Sequence, residues 1–374
     1  MGCLLVRADR KVGLLFAFVL LVWGALVQGA DAGSRWKLSP LRRIGFVVNL
    51  RYGSITDFNT GVLRAGWYTD NVATLDPALP HGIDYIPLIG TGRGNYRPNW
   101  TELADVIANN PGRIWMVGNE PECVYQEPHT PAEYAQVYHD VYQFIKAQDP
   151  TALVAIGGVV QPTPLRLQWL DMVLGEYQAR YGQKMPVDVW NIHNMILQER
   201  KGFWGCDIPV GLDATAGRLY ALEDNDNFDI FVQHIVEFRT WMKARGEQNK
   251  PLIISEFGVL MPKEYGFSPD RVNAFMNKTF DYMLKTRDLA LGLPEDDYHL
   301  VQMWAWFSLN EEPYGMGTGL GFNGELFNCY TRQITPMGEN FARYTSRLAS
   351  QVRYFPRIQR NWRAGAGGAW AGAE

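Results

Sequence analysis

Eight short apolar runs, rich in β-branched and aromatic residues, recur between residues 44 and 306, and this rhythm limits the fold more than any other feature of the chain. They occupy 44–49, 62–66, 83–89, 113–119, 153–158, 187–193, 252–256 and 300–306. Between them lie longer stretches, among them 131–148, 165–181, 227–245 and 270–287, whose apolar residues fall three and four apart, the spacing of an amphipathic helix. Pro131 and Pro269-Asp270 read as helix starts, with Ser268 as a cap for the second. Strands that alternate with helices run parallel, because each return crosses over through a helix. Eight such units predict an α/β fold closed as a (β/α)8 TIM barrel, a single domain over 33–350, with the helices of the first three units short or unclear.

The flanks follow other rules. Arg7, Arg10 and Lys11 precede an apolar run over 12–27, and Ala30-Asp31-Ala32 has the small-x-small cleavage pattern, so 1–32 reads as a signal peptide cut near Ala32 and the product as secreted or extracytoplasmic. The 16 residues of that run fall short of the roughly 20 that cross a bilayer, so no stable membrane span is expected after cleavage. Removing 1–32 takes the formal charge from −4 to −5, a balance that argues against nucleic acid as a partner, since its binders present basic faces. Residues 351–374, basic and then rich in Gly and Ala, read as a disordered tail. Cys3 leaves with the signal; Cys123, Cys206 and Cys329 allow at most one internal bridge, with Cys206–Cys329 and Cys123–Cys206 both open. The chain has no HExxH or CxxC motif, and no metal or organic cofactor is expected.

Two glutamates end strands. Glu120 closes the fourth run in Gly118-Asn119-Glu120-Pro121, where Pro121 turns the chain away, and Glu256 closes the seventh in Ser255-Glu256-Phe257-Gly258, 136 residues later. Barrel enzymes keep their chemistry at the carboxyl ends of their strands, and a carboxyl pair facing across the mouth suits glycoside hydrolysis. The long segments 194–228 and 307–335 then read as substrate-binding walls. Trp67, Tyr68, Trp204 and Tyr314 read as loop aromatics, candidates for stacking on sugar, while Trp115 and Trp190 read as packing residues. Arg64 reads either as a donor to Glu256 or as a barrel salt bridge; Glu122 as a loop or subsite residue; Glu127, Glu311 and Glu312 as solvated charge.

Through WMVGNEPE (115–122), WNIHNM (190–195), PLIISEFG (251–258) and MWAWFSL (303–309), the chain resembles clan A of the glycoside hydrolases. That resemblance implies a retaining mechanism with Glu120 as acid/base and Glu256 as nucleophile, Asn119 on the sugar 2-hydroxyl, His193 near the nucleophile and Trp304 beneath the substrate. Within the clan, RAGWYTD (64–70), YIPLIG (85–90), SEFG, GELFN (324–328) and ITPMGENFARY (334–344) are similar to the Asl1-like glycosyl hydrolase catalytic core, a β-1,3-glucanase-related group. The expected partner is a polysaccharide or oligosaccharide. Two other functions share these residues: a non-catalytic carbohydrate-binding barrel, and a transglycosylase that passes the sugar to another sugar.

Overall fold

The computed structural model describes residues 35–316 and 321–353. Its strands are β1 (Ile44–Val47), β2 (Trp67–Thr69), β3 (Asp84–Tyr85), β4 (Leu88–Ile89), β5 (Ile114–Asn119), β6 (Leu153–Gly158), β7 (Trp190–His193), β8 (Leu252–Phe257) and β9 (Met303–Trp306). Every ladder is parallel, in the orders β3-β2-β1-β9-β8-β7 and β4-β5-β6. Two seams join these sheets into a ring. β3 and β4 are consecutive pieces of one run, pairing with β2 and β5 respectively. On the other side, parallel bridges Ala155↔Val189 and Val159↔Ile192 tie β6 to β7. The result is the (β/α)8 barrel, with the 84–89 run as its third stave.

Outside the ring lie α1 (Trp100–Asn109), α2 (Pro131–Gln148), α3 (Pro164–Tyr181), α4 (Phe228–Ala244), α5 (Pro269–Lys285) and α6 (Pro336–Arg353). Their starts follow the capping rules: Thr130 and Glu133 form a capping box ahead of Pro131, and Ser268 Oγ accepts the Arg271 N–H. The first two units depart from the alternation, since 310 turns (Leu50–Tyr52, Ile55–Asp57, Thr60–Leu63, Pro80–Gly82) stand where helices were expected. The 62–66 run is likewise not a strand: Arg64 is left-handed (φ 50°), and the stave starts at Trp67. Helix α6 runs through Arg353, the last described residue, so 351–353 of the expected tail are helical; the remaining tail and the leader 1–32 lie outside the described residues.

Strand parity sorts the core. Ile253, Met303, Ala305, Met116 and Val47 fill the barrel interior, whereas Trp304, Trp306, Trp115 and Trp190 face the helices. Trp67 lies inside the barrel, fully buried; its indole N–H donates to Arg43 O at 3.1 Å, and a Cβ on Gly45 would come within 2.6 Å of its ring. Gly45 is therefore what makes room for Trp67 in the closed ring.

Candidate active site

Glu120, His193 and Glu256 meet at the carboxyl end of the barrel, each buried, with one side-chain atom from each within 4.8 Å of the others. Backbone irregularity delivers both carboxylates. Gly118 takes φ +82°, where a Cβ would press to 2.8 Å from Thr91 Oγ1, and Glu120 itself sits at φ 45°. On β8, strict alternation would turn Glu256 outward with Leu252 and Ile254. A shift of register between Ile254 and Phe257 breaks that parity, so Phe257 packs in the outer core while Glu256 turns to the mouth.

His193 connects the pair. Its Nδ1 lies 2.9 Å from Glu120 Oε1 and 3.7 Å from Glu256 Oε2. Burial alone would lower the imidazole pKa, but the charge on Glu256 and the hydrogen bond and charge of Glu120 raise it to about 8. Burial pushes the Glu256 carboxyl up, against the opposing pull of His193 and of Asn71, whose Nδ2 donates to Glu256 Oε1 at 2.9 Å. Asn71 had no expectation attached to it. It sits in the left-handed region (φ 57°), as Asn tolerates, and only that turn after β2 brings it to the nucleophile position. The same three residues are the group among the described residues that could offer a cation three ligands. The imidazole nitrogen facing them is already hydrogen-bonded to Glu120.

These groups open into a cleft of about 450 Å³, whose walls include Asn119, Tyr125, Trp204, Phe307 and Phe322. Asn119 is held by its backbone N–H on Glu127 Oε2 at 3.1 Å, and its buried Oδ1 has no partner among the described residues. Glu127 is not solvated: it also accepts from Thr91 N and Oγ1 at 2.8 and 3.0 Å and holds the turn under Asn119. Glu311 and Glu312 are buried as well, receiving Asn49 Nδ2 at 2.7 Å and the hydroxyls of Tyr52 and Tyr330 respectively. Glu122 is not a subsite residue. It is fully buried against Arg166, which also pairs with Glu199, and it accepts the Val160 N–H at 2.9 Å.

Several expected site residues lie elsewhere. Arg64 is exposed on the outer wall beside Asn340 and Arg347, far round from the mouth, because the segment before β2 is a turn. Trp67 plugs the barrel interior near Trp36 and Met303. Trp304 faces the helices, 5.9 Å from Phe280, since Met303 and Ala305 take the inward parity of β9; Trp306 shares its outward face. Tyr68 is buried with its hydroxyl on Ala78 O, and Tyr314 borders a neighbouring cavity. Cys123, Cys206 and Cys329 are all free; the first two share one buried cluster beneath the cleft.

Comparisons with known proteins agree with this architecture. The fold is similar to a GH128 subgroup III curdlan-specific exo-β-1,3-glucanase from Blastomyces gilchristii, at 15% identity over 81% of this chain and 99% of that one, TM-score 0.52. It is also similar to a subgroup II endo-β-1,3-glucanase from Pseudomonas viridiflava, at 15% identity over 80% and 96%, TM-score 0.51. A third similar structure is a subgroup VII oligosaccharide-binding protein from Cryptococcus neoformans, at 14% identity over 85% and 99%, TM-score 0.54. At such identities the likeness is one of fold. No curated protein matches the chain. Residues 47–341, most of the chain, match the family model described as glycosyl hydrolase catalytic core, and the protein belongs to that family as a glycoside hydrolase.

Proposed function

We propose that the protein is an exported hydrolase of β-linked glucan that acts with retention of configuration, Glu256 being the nucleophile and Glu120 the general acid/base. The observation that carries this reading is the convergence of Glu120 and Glu256 on His193, with side-chain atoms within 4.8 Å. Retaining enzymes hold their carboxyl groups about 5–5.5 Å apart, inverting ones about 6.5–9.5 Å to admit a water. The β-glucan assignment is supported by the β-1,3-glucanases that share the fold; export, by the leader pattern of 1–32. An exported product beginning near Gly33 on N-terminal sequencing is the expected outcome.

The steps follow from positions. Glu120 protonates the glycosidic oxygen as its bond to the anomeric carbon breaks, and Glu256 attacks that carbon to form a glycosyl ester. The leaving chain departs as an alcohol. Glu120, now a carboxylate, takes a proton from water, whose oxygen displaces Glu256 and completes a second inversion. His193 serves both halves: its cation favours the ionised form of Glu256 against the effect of burial, and its 2.9 Å contact with Glu120 gives the acid/base a proton-sharing partner. Asn119 Oδ1 is free to accept from a sugar hydroxyl, in line with the role implied by the clan resemblance.

A second reading has one observation in its favour, the shared fold of an oligosaccharide-binding protein. Against it stands the burial of two carboxylates and an imidazole in contact, which binding alone does not need. The test is reducing-sugar release by the mature protein over β-1,3-, β-1,4- and mixed-linkage glucans. Release is expected on a β-1,3-glucan, reduced about 10²–10⁴-fold in Glu120→Gln and abolished in Glu256→Gln. Tight binding to a glucan without release, unchanged in both variants, would establish the binding protein instead. Transglycosylation is read in the same assay, as longer oligosaccharides at high acceptor concentration.

A further inference from the structure

Beside the cleft lies a second cavity of about 420 Å³, set between the loops that follow β8 and β9. The two share a wall. Met261 lines the cleft and its neighbour Pro262 lines the second cavity, while Phe322 lines both. This divide is held firmly. Asn323 donates its backbone N–H to Leu260 O at 3.1 Å and its Nδ2 to Met261 O and Phe267 O at 2.9 and 3.0 Å, which fixes Phe322 at the crossing. The Phe322 ring meets Phe307 edge-on, with centroids 6.2 Å apart.

Beyond the divide the lining has the chemistry of a sugar site. Tyr314 borders the cavity with its ring partly exposed; Tyr265 holds its hydroxyl at 3.0 Å and packs its own ring against it at a tilt, centroids 5.6 Å apart, which fixes the Tyr314 ring beside the cavity. Met316 adds apolar surface, and Lys263 and Glu325 add polar groups. Sugar rings present C–H faces to aromatic surfaces and hydroxyls at their edges, which a cavity of this composition can meet with both stacking and hydrogen bonds. Burial pushes the Glu325 carboxyl up to about 7, so around neutral pH much of it is uncharged and can donate as well as accept. A neutral polyhydroxy ligand suits such a lining better than an ion.

We infer that the Tyr314–Phe322–Glu325 cavity is a distal subsite, occupied by the part of a glucan chain that runs past Phe322 out of the catalytic cleft. This rests on the glucan reading proposed above. The subsite lengthens the site in one direction, so affinity rises with chain length beyond what the cleft alone can hold.

The experiment titrates laminaritriose and laminarihexaose calorimetrically into the Glu120→Gln protein, and into the same protein carrying Tyr314→Ala or Glu325→Ala. The hexaose is expected to bind more tightly than the triose. Each added substitution is expected to cut the hexaose-to-triose affinity ratio about tenfold, the loss of one stacking or hydrogen-bonding contact. A preference that persists unchanged in both variants overturns the subsite and leaves the glucan reading standing. Absence of binding for both sugars overturns the β-1,3-glucan reading, and the subsite with it.

Discussion

His193 stands 2.9 Å from one carboxylate and 3.7 Å from the other, which makes their charges interdependent. With its pKa near 8, the imidazole is a cation at neutral pH and loses its proton above about 8; the fall of kcat/KM on the alkaline side is expected there. On the acid side, activity requires ionised Glu256, whose pKa burial has raised above the ordinary carboxylate value, so that limb lies higher than for an exposed glutamate. His193→Gln removes the compensating charge. Its acid limb should move to still higher pH and its alkaline limb should no longer lie near 8; a pH profile identical to that of the parent would exclude the coupling. Asn71→Gly removes the amide that donates to Glu256 while keeping the left-handed turn, and a hydrogen bond to a charged group is worth about 1.5–3 kcal/mol. Steady-state kinetics should show kcat/KM about 10–100-fold lower. At this scale the pair Glu120 and Glu256 was legible because each ends an apolar run. Asn71 was not, because nothing in a Thr-Asp-Asn-Val string reveals that a turn carries it to the far side of the barrel. Trp304 was misplaced by one step of parity: MWAW reads equally well with either face inward, and only the neighbours Met303 and Ala305 show which one it is.

Elements position the site through their defects. The irregular register of β8 is what turns Glu256 inward, and the positive φ of Gly118 and of Glu120 bends the end of β5 where Glu120 emerges. Gly118→Ala would put a methyl 2.8 Å from Thr91 Oγ1 in a conformation that L residues avoid, and at least about 1 kcal/mol of stability should be lost, with a larger loss of activity as Glu120 shifts. Below the cleft, Arg166 of α3 is wholly buried between Glu122 and Glu199 and also donates to Cys206 O at 3.0 Å. Arg166→Met strands two buried carboxylates, and denaturant titration should show a loss of about 3–5 kcal/mol. No change would mean that water reaches this network. The periodic helices α2 to α5 were readable to within two residues of their ends, since apolar spacing, proline and Ser268 all pointed the same way. The first two units were not, because their connections are 310 turns that carry no period, and the 62–66 run has the composition of a strand but is taken up by a 310 turn and the left-handed Arg64.

Over the whole molecule, the ring of staves concentrates every strand's carboxyl end at one mouth, so residues as far apart as Asn71 and Phe322 line a single cleft. The barrel and its mouth followed from the count of runs. The walls did not, since the loops 194–228 and 307–335 have no period and their aromatics divide among cleft, core and the neighbouring cavity for reasons of packing alone. The central claim is that the two glutamates act by double displacement, and stereochemistry tests it most directly. Proton NMR of the first-formed reducing end, recorded on a β-1,3-glucan digest before mutarotation, should show the β anomer, which only later equilibrates with α. Appearance of the α anomer first would mean a single displacement by water, and would contradict the assignment of Glu256 as nucleophile.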